Sequence, residues 1–470
     1  MINRKQQQIK YVVGDFIASN VTWFLFNLLR YYFVAFVNFK SLQVYLSSWR
    51  VIEGQIFFPV LMMAIYYFSG YYNQPFFKSR LQEFFTSLSS TVICAILIFF
   101  IALINDVMPF RKDNYELILG LIGIQFTCIY ISRAWITSYA TKKIHKRIWQ
   151  FNTLVIGAGK SAVKFYNELE QMKKSMGYNI VGFVQLPKEK TQTLPRPVYS
   201  LENISEIIEE MNIKELIIVP DSYNRQQLHF IINRLYPLDL PIKLRLNDFE
   251  LISSRVKLTN IYGTPLVDMT SCVASDSYKN IKRGLDILLS CIALVLIAPV
   301  MAILAIYIKK DSKGPVFYRQ ERIGYRHKPF ILYKLRTMRQ DAETEGPALS
   351  SENDTRITRI GHILRKYRFD ELPQFWNVLK GDMSIVGPRP EREFFIRKIM
   401  EKAPYYTLLY QIRPGITSWG MVKFGYARNI DEMIKRLKFD ILYLENMSML
   451  VDMKIIIYTV KTVITVKGIG

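Results

Sequence analysis

Long apolar stretches dominate the first third of the chain. An α-helix of about 20 apolar residues crosses the roughly 30 Å hydrocarbon core of a bilayer. The pattern therefore predicts a membrane protein of class α plus α/β, whose residues 1–148 form four transmembrane helices. The four stretches are Tyr11–Val37, Val51–Tyr72, Leu88–Ile104 and Leu117–Ala140.

Basic residues set the expected orientation of these four helices. They precede the first stretch, separate the second from the third, and follow the fourth, and cytoplasmic segments carry an excess of Lys and Arg. We expect these segments, and the chain after residue 148, to lie in the cytoplasm. The residues are Arg4, Lys5, Lys10, Lys78, Arg80, Lys142, Lys143, Lys146 and Arg147.

Strand and helix patterns alternate after Phe151, which predicts a Rossmann-like α/β domain at 149–251, followed by a linker at 252–277. The turn Gly157–Ala162 is compatible with dinucleotide binding. However, Gln185 follows the second strand, where a dinucleotide-binding domain places an acidic residue that binds the ribose. A tight strand-to-helix turn explains the glycines without a nicotinamide cofactor, and a regulatory or assembly role is favoured.

A fifth apolar stretch, 285–308, carries basic residues at both ends and Pro299 near its middle. Proline removes a backbone donor and clashes with the preceding turn, so the helix should bend or break there. Positive charge at both ends then favours a re-entrant membrane helix whose two ends stay cytoplasmic. The alternative is an ordinary fifth span with a proline kink.

Composition supports a membrane protein with a basic face. Half of the residues are apolar, and 62 Lys and Arg outnumber 39 Asp and Glu. This combination suits anionic lipid headgroups and phosphorylated substrates. Nucleic acid is the other partner that such a charge suggests, but the apolar blocks are too long for a DNA-binding module, so we expect no nucleic acid. The cysteine spacing predicts neither a disulfide framework nor a zinc site.

The densest polar cluster of the chain surrounds the adjacent carboxylates Asp370 and Glu371. With Arg365, Arg368 and Arg389 nearby, we expect a carboxylate here to remain ionised. Such an aspartate can attack phosphorus, a neighbouring glutamate can hold Mg²⁺ against a diphosphate, and arginines suit phosphate oxygens. The alternative is that the two acidic residues cap a helix or face solvent.

Upstream of this cluster, Lys334 and Arg336 alternate with apolar residues, as on a half-buried strand. They would project together from one face, able to meet a diphosphate, unless that face is simply solvated. Near the end of the chain, 447–466 is predicted as an amphipathic helix in the membrane interface or packed against the core.

Residues 282–419 resemble the bacterial sugar transferase family, the monotopic phosphoglycosyl transferases. The four spans and the α/β domain are similar to those of long-form members, which initiate exopolysaccharide or O-antigen synthesis. Two departures are Ala298 before Pro299, where the family often has serine, and Ser418-Trp419-Gly420-Met421-Val422, where it usually has Gly-Trp-Ala-Gln-Val. The matching motifs are Lys282-Arg-Gly-Leu-Asp286, Gly314-Pro-Val-Phe-Tyr-Arg319-Gln, Gly324, Lys334-Leu-Arg336-Thr-Met, Asp370–Ser384, Gly387-Pro-Arg-Pro390 and Arg413–Thr417.

The resemblance implies a catalytic domain at 278–470 that transfers a hexose-1-phosphate from a UDP-hexose to polyprenyl (undecaprenyl) phosphate and releases UMP. Asp370 would carry the sugar phosphate covalently, and Glu371 would bind Mg²⁺. The cationic side chains of Lys334, Arg336, Arg365 and Arg389 would neutralise phosphate charge. The enzyme would lie in the bacterial cytoplasmic membrane with its catalytic domain in the cytoplasm, and a homodimer is plausible.

Two other functions are compatible with part of the sequence. A membrane-bound nucleotide-sugar dehydratase or epimerase would use the α/β domain with NAD, but it requires a Tyr-x-x-x-Lys pair, and Tyr166 is followed by Glu170 in the fourth place. A non-catalytic assembly subunit that regulates polysaccharide length would explain the spans and the charge. It would leave the block Asp370–Ser384 without a role.

Overall fold

The structure, a computed structural model, describes most of the chain between Arg4 and Thr465. The described residues form two compact units, one comprising 1–151, 169–179 and 276–280, the other 152–168, 180–275 and 281–470. Residues 1–3, 34, 38, 74, 77, 79, 104–110, 188, 190, 191, 222–224, 239, 246–265, 269–273, 341, 343–353, 426 and 466–470 lie outside the description.

Four long helices stand where the four N-terminal apolar stretches predict them. Together with a later helix, they make five described helices that are long and apolar enough to cross a membrane. The helices in this region are α1 (Arg4–Phe33), α2 (Leu42–Leu46), α3 (Trp49–Phe68), α4 (Arg80–Ile98) and α5 (Arg111–His145), with a 3-10 turn at Ala35–Val37 and a π turn at Phe99–Leu103.

A fully buried ion pair connects the first and last of these long helices. The Arg133 guanidinium donates to both carboxylate oxygens of Asp15, at 2.9 and 2.7 Å, and to the Ser87 hydroxyl at 3.0 Å. Charged side chains within apolar helix bundles are normally paired in this way, because an isolated charge there is costly. The hydrophobic pattern alone gave no indication of this pair.

A six-stranded sheet in the order β3-β2-β1-β4-β5-β6 forms the middle domain. The first five strands are parallel, which confirms the Rossmann-like prediction. The predicted domain end at residue 251 lies outside the described residues. Within the predicted linker 252–277, the strand β6 pairs antiparallel with β5 and so belongs to the sheet. The elements are β1 (Phe151–Ile156), α6 (Lys160–Gln171), β2 (Tyr178–Gln185), β3 (Val198–Ser200), α7 (Ile204–Glu210), β4 (Glu215–Ile218), α8 (Arg225–Leu235), β5 (Ile242–Arg245) and β6 (Leu266–Asp268), with 3-10 turns at Leu201–Asn203 and Tyr236–Leu238.

Two acidic side chains of the domain itself occupy the glycine-rich turn after β1. The Asp221 carboxylate accepts hydrogen bonds from the backbone N–H groups of Lys160 (3.0 Å) and Ser161 (2.6 Å), and Glu189 accepts from the N–H of Ala158 (2.9 Å). In dinucleotide-binding domains, N–H groups at this position hold the pyrophosphate. The turn therefore does not fit a nicotinamide dinucleotide. This agrees with the interpretation that its glycines serve a tight strand-to-helix turn.

The fifth long helix, α9 (Asp276–Asp311), carries Pro299 inside it. Of the two predicted outcomes at Pro299, a break is wrong, and a bend stays a prediction. The chain stays helical for 12 residues beyond Pro299, since a proline removes one hydrogen bond and the neighbouring turns keep theirs. Apolar side chains such as Val295 and Leu296 are 75% and 69% exposed, as expected for contact with lipid. Whether both ends lie in the cytoplasm stays a prediction.

Polar side chains in the first turns of α9 bind the C-terminal domain. Lys282 forms an ion pair with Asp452 at 2.7 Å, and the Arg283 guanidinium donates to two backbone carbonyls, at 2.7 and 3.0 Å. The Asp286 carboxylate accepts from the N–H of Ile385 at 3.1 Å. The motif Lys282–Asp286 thus has an anchoring role in this fold.

The C-terminal domain consists of an antiparallel hairpin, a short parallel pair β9–β10 and six helices within its described residues. In the last described helix, Asp452 and Ile455 are buried while Leu450 and Ile457 are exposed, and its place in the membrane interface stays a prediction. The elements are β7 (Phe317–Ile323), β8 (Pro329–Leu335), α10 (Arg359–Lys366), α11 (Gln374–Lys380), β9 (Ser384–Val386), α12 (Glu393–Lys402), β10 (Gly415–Thr417), α13 (Trp419–Lys423), α14 (Ile430–Glu445) and α15 (Met449–Thr465), with 3-10 turns at Tyr325–His327, Phe369–Glu371 and Pro404–Gln411.

Candidate active site

Asp370 and Glu371 lie in the short 3-10 turn Phe369–Glu371, directly before α11. The preceding residue, Arg368, adopts the left-handed conformation (φ 55°, ψ 25°), which is uncommon for a residue with a side chain. The N-cap position of α11 is Pro373, so neither carboxylate occupies it. Both carboxylates are buried, with 8% and 5% of each residue exposed. The helix-cap alternative is therefore wrong.

Lys334 on β8 lies between the two carboxylates. Its Nζ is 3.0 Å from Glu371 Oε1 and 3.8 Å from Asp370 Oδ2. The side chain of Asn377, on α11, holds β8 in place by donating to the Ile331 carbonyl (2.7 Å) and accepting from the Tyr333 N–H (3.1 Å). The acidic turn and its lysine are thus positioned by one buried amide that follows them in the same motif.

Arginines surround Glu371 on its other sides. Arg389, in the loop after β9, lies 3.5 Å from Glu371 Oε1, and Arg368 lies 4.0 Å from Oε2. Arg365 on α10 donates to the Thr337 hydroxyl at 3.0 Å and is close enough to Asp370 to lower the pKa of that carboxyl. Lys334, Arg365 and Arg389, all predicted as site residues, are therefore brought together around the dyad.

The two carboxyl groups have different acidities. Burial alone would raise the pKa of Glu371, but Lys334, Arg389 and Arg368 outweigh it and lower that pKa to about 2. Burial also raises the pKa of Asp370, and the Glu371 charge adds to this against the nearby cations. The lowered pKa of Glu371 agrees with the expectation that a carboxylate here remains ionised, and for Asp370 that expectation stays a prediction. When the surroundings push the pKa values of two neighbouring carboxyl groups apart, the two groups typically have separate roles.

Arg336 takes a different place from the one predicted. Its guanidinium donates to the carbonyls of Ser312 (2.7 Å) and Lys313 (2.9 Å), where α9 ends. Strand alternation places Lys334 and Arg336 on one face, but it does not show what meets that face. Because the arginine lies at the end of a helix, it satisfies carbonyl groups there and is not brought together with Glu371.

Two residues of the site were not assigned from the sequence. The sequence identifies Arg368 only as a nearby cation, and Asn377 only as part of the motif Asp370–Ser384. An amide three residues into a helix, in a segment of buried apolar residues, is a signal for a buried hydrogen-bonded role, although its partners on β8 are far away in the sequence.

The site offers a suitable ligand for Mg²⁺ in Glu371. This carboxylate is buried and ionised, and it faces the cationic Lys334 Nζ at 3.0 Å, a position that another cation can take. No group of three acidic, His or Cys side chains occurs among the described residues. Mg²⁺ bound to a nucleotide needs only one or two carboxylates, with phosphate oxygens and water completing its shell.

Comparisons with known proteins identify the family of the C-terminal domain. The sequence model of the family described as bacterial sugar transferase matches residues 277–466. A UDP-N-acetylgalactosamine-undecaprenyl-phosphate N-acetylgalactosaminephosphotransferase of Aeromonas hydrophila is 40% identical over 216 residues, which are 46% of this chain and 50% of that protein. A putative undecaprenyl-phosphate N-acetylgalactosaminyl 1-phosphate transferase of Bacillus subtilis is 48% identical over 156 residues, 33% of this chain and 84% of that protein.

Similarity also extends beyond the C-terminal domain. A UDP-glucose:undecaprenyl-phosphate glucose-1-phosphate transferase of Escherichia coli is 28% identical over 349 residues, which cover 73% of this chain and 72% of that protein. With other relatives, such as the Aeromonas protein, the match spans about half of the relative's length.

Proposed function

Since this chain belongs to the bacterial sugar transferase family, we propose that it is a phosphoglycosyl transferase of the bacterial cytoplasmic membrane. It transfers a sugar-1-phosphate from a UDP-sugar to undecaprenyl phosphate and releases UMP. The observation that carries the proposal is the buried Asp370–Glu371 pair with Lys334 Nζ between the two carboxylates. The names of the relatives, which include both glucose and N-acetylgalactosamine transferases, support the substrate class.

The different environments of the two carboxylates suggest their separate roles. Asp370 is the more basic group, because the cations are closest to Glu371. In the first step, an Asp370 Oδ forms a bond to the β-phosphorus, and the bond from this phosphorus to the bridging oxygen breaks, so that UMP leaves with both electrons. In the second step, a phosphate oxygen of undecaprenyl phosphate attacks the same phosphorus and releases the Asp370 carboxylate.

The cationic side chains stabilise charge on the transferred group. Arg389 and Arg365 can donate to the phosphate oxygens as two-pronged donors, and Lys334 can move between the carboxylates and the β-phosphate. Glu371 would hold Mg²⁺, which supplies further neutralisation of the diphosphate when bound. Because the site is buried, each of these charges acts more strongly than it would in water.

Removing the nucleophile tests this assignment. Asp370→Asn keeps the size and polarity of the side chain but cannot form the acyl phosphate, so we expect UMP release to fall by at least about 10³-fold. Purified enzyme is incubated with UDP-glucose, UDP-galactose or UDP-N-acetylgalactosamine, Mg²⁺ and undecaprenyl phosphate. The matched control is Asp431→Asn, an exposed carboxylate of the same domain that pairs with Lys402, and it should retain full activity.

Without the lipid acceptor, wild-type enzyme should gain the mass of one sugar phosphate, and Asp370→Asn should not. EDTA should abolish UMP release and added Mg²⁺ should restore it. Full activity of a folded Asp370→Asn variant would contradict the covalent route. No UMP release from any of the UDP-sugars by the wild-type enzyme would contradict the reaction itself.

A further inference from the structure

The loop that carries Arg389 ends in a buried carboxylate. Arg389 lies between Pro388 and Pro390, and Glu391 follows directly. Only 5% of Glu391 is exposed, and the residue takes no part in the proposed transfer steps. Each proline ring fixes the backbone angle φ, so a shift of Glu391 is carried through this short loop to Arg389. The contacts that hold Glu391 therefore affect where the Arg389 guanidinium lies.

Two arginines from different elements hold the Glu391 carboxylate. Arg322 on β7 lies 3.3 Å from Oε2, and Arg436 on α14 donates to Oε1. Both arginine side chains are mostly buried. Hydrogen bonds between two charged groups are stronger than those between neutral groups. The carboxylate therefore joins a strand and a helix of the domain to the end of the loop.

Arg322 also holds the backbone of this loop. Its guanidinium donates to the Pro390 carbonyl at 3.1 Å and, from the same nitrogen, to the Glu391 carboxylate. The N–H group of Ile323, the next residue on β7, donates to the Glu391 carbonyl at 3.1 Å. The loop is thus fixed to β7 directly after Arg389.

The charges around the loop give the Glu391 carboxylate a second effect on Arg389. Burial lowers the pKa of the Arg322 guanidinium, Glu391 raises it, and the nearby charge of Arg389 lowers it further. Arg322 and Arg389 are thus close enough to repel each other, and Glu391 neutralises Arg322. Without that carboxylate, Arg389 would face an uncompensated buried cation. This repulsion would displace its guanidinium from Glu371 Oε1, which lies 3.5 Å away.

We propose that Glu391 is a positioning residue that holds the Arg389 guanidinium beside the dyad, an inference that rests on the proposed function. Glu391 itself touches neither the substrate nor a metal ion. A buried ion pair that served stability alone would change activity only through the amount of folded protein. A positioning residue acts through Arg389, so its removal should have little further effect once the Arg389 guanidinium is gone.

A double-mutant cycle with Arg389 separates these two roles. Glu391→Gln keeps the size of the side chain and removes its charge. We expect kcat/KM for UMP release to fall about tenfold, because a small misplacement of a binding group is costly. In the Arg389→Ala background the same change should cost less than about twofold. Rates are measured below all thermal transitions and divided by the folded fraction. Glu401→Gln, which changes an exposed carboxylate on α12, is the control and should have no effect in either background.

Arg322→Lys tests the same contact if Glu391→Gln does not fold. It keeps the charge, but one ammonium cannot reproduce the fork that binds the loop and Gln320 together. We expect a loss of about fivefold, again limited to the background that contains Arg389. Binding of UDP with Mg²⁺, measured by titration calorimetry, gives the same cycle without turnover. Equal losses in both backgrounds, or no loss in a folded Glu391→Gln variant, would overturn the positioning role.

This role and the proposed reaction fail separately. A wild-type protein that shows the coupled loss in UDP binding but releases no UMP from any UDP-sugar contradicts the reaction alone. An active wild-type enzyme in which Glu391→Gln costs the same factor with and without Arg389 contradicts the positioning role alone.

Discussion

Arg336 provides a sharp test of what the structure adds to the sequence motif. The motif and its strand position predict that Arg336 binds phosphate, whereas the structure places its guanidinium against the carbonyls of Ser312 and Lys313 at the end of α9. The substitution Arg336→Met keeps an unbranched apolar stem and removes the donors. If the structural role is correct, the variant should lose stability and retain most of its transfer activity.

The size of the loss follows from two well-formed hydrogen bonds of 2.9 and 2.7 Å. Hydrogen bonds from a charged donor contribute about 1.5–3 kcal/mol each. Water can replace part of the lost hydrogen bonding, because Asp311 and Lys313 are exposed. The substitution also removes the buried Arg336 Nε, which has no partner among the described residues, and this too reduces the net loss. We expect a net loss of about 2–4 kcal/mol, or on the order of 5–15 °C in the melting temperature of the C-terminal domain.

Thermal unfolding in detergent, followed by tryptophan fluorescence, measures this loss, and UMP release at a temperature below both transitions measures activity. Arg339→Met serves as the control, because Arg339 is exposed three residues further along the chain and should change neither property. Arg336→Lys should also lose stability, since one ammonium cannot reproduce the two-pronged geometry. A variant with wild-type melting and a 100-fold lower kcat/KM would refute the helix-end role and restore the phosphate-binding interpretation.

Three further predictions concern buried groups. Asp15→Asn should destabilise the N-terminal unit by about 3–5 kcal/mol, because Arg133 is left without its counter-ion, and a calorimetric scan should show a double variant with Arg133→Met to be more stable than the single one. Gly420→Ala should cost about 1–3 kcal/mol in a denaturant titration of the C-terminal domain, because an added Cβ would lie 2.7 Å from Arg436 Cγ and 2.9 Å from Asp440 Oδ1; unchanged stability would mean that α14 moves away freely. Burial raises the pKa of Asp440 to about 6, although the nearby Arg436 opposes this rise. The folded state therefore binds the Asp440 proton more tightly than the unfolded state does. This binding contributes up to about 3 kcal/mol of stability, which is present below about pH 4 and lost as the pH rises through about 6. Asp440→Asn should flatten the dependence of the urea midpoint in this window, and an equally steep dependence in the variant would show that another group titrates.

Hydrophobic patterning predicted the long helices and the parallel sheet because both depend on local periodicity. Lys334, Arg365 and Arg389 were also identified, since a cationic cluster around two carboxylates is legible in the sequence. The partner of Arg336 was not, because it depends on where α9 ends in three dimensions, and Arg336 lies 25 residues beyond the end of that helix.

Two further features were equally hard to predict: the pKa of Asp370, and the filling of the glycine-rich turn by an acidic side chain of the same domain. Burial raises the pKa of Asp370, and the lysine that opposes this rise lies closer to Glu371, at 3.0 Å against 3.8 Å. Asp221 fills the glycine-rich turn from 60 residues further along the chain, a distance over which no spacing rule applies. The sequence motifs therefore predicted where the candidate site lies, and the tertiary contacts showed which residues of those motifs contact one another.

The three polar anchors on the first turns of α9 have a mechanical consequence. Lys282 joins the helix to Asp452 on α15, whereas Arg283 and Asp286 join it to α11 and β9. The helix α11 follows the turn that carries Asp370. These hydrogen bonds tie the apolar helix to the segment that carries Asp370. If Asp370 is the nucleophile, as proposed, a change in the tilt or depth of that helix in a bilayer would also change the height of the carboxylate.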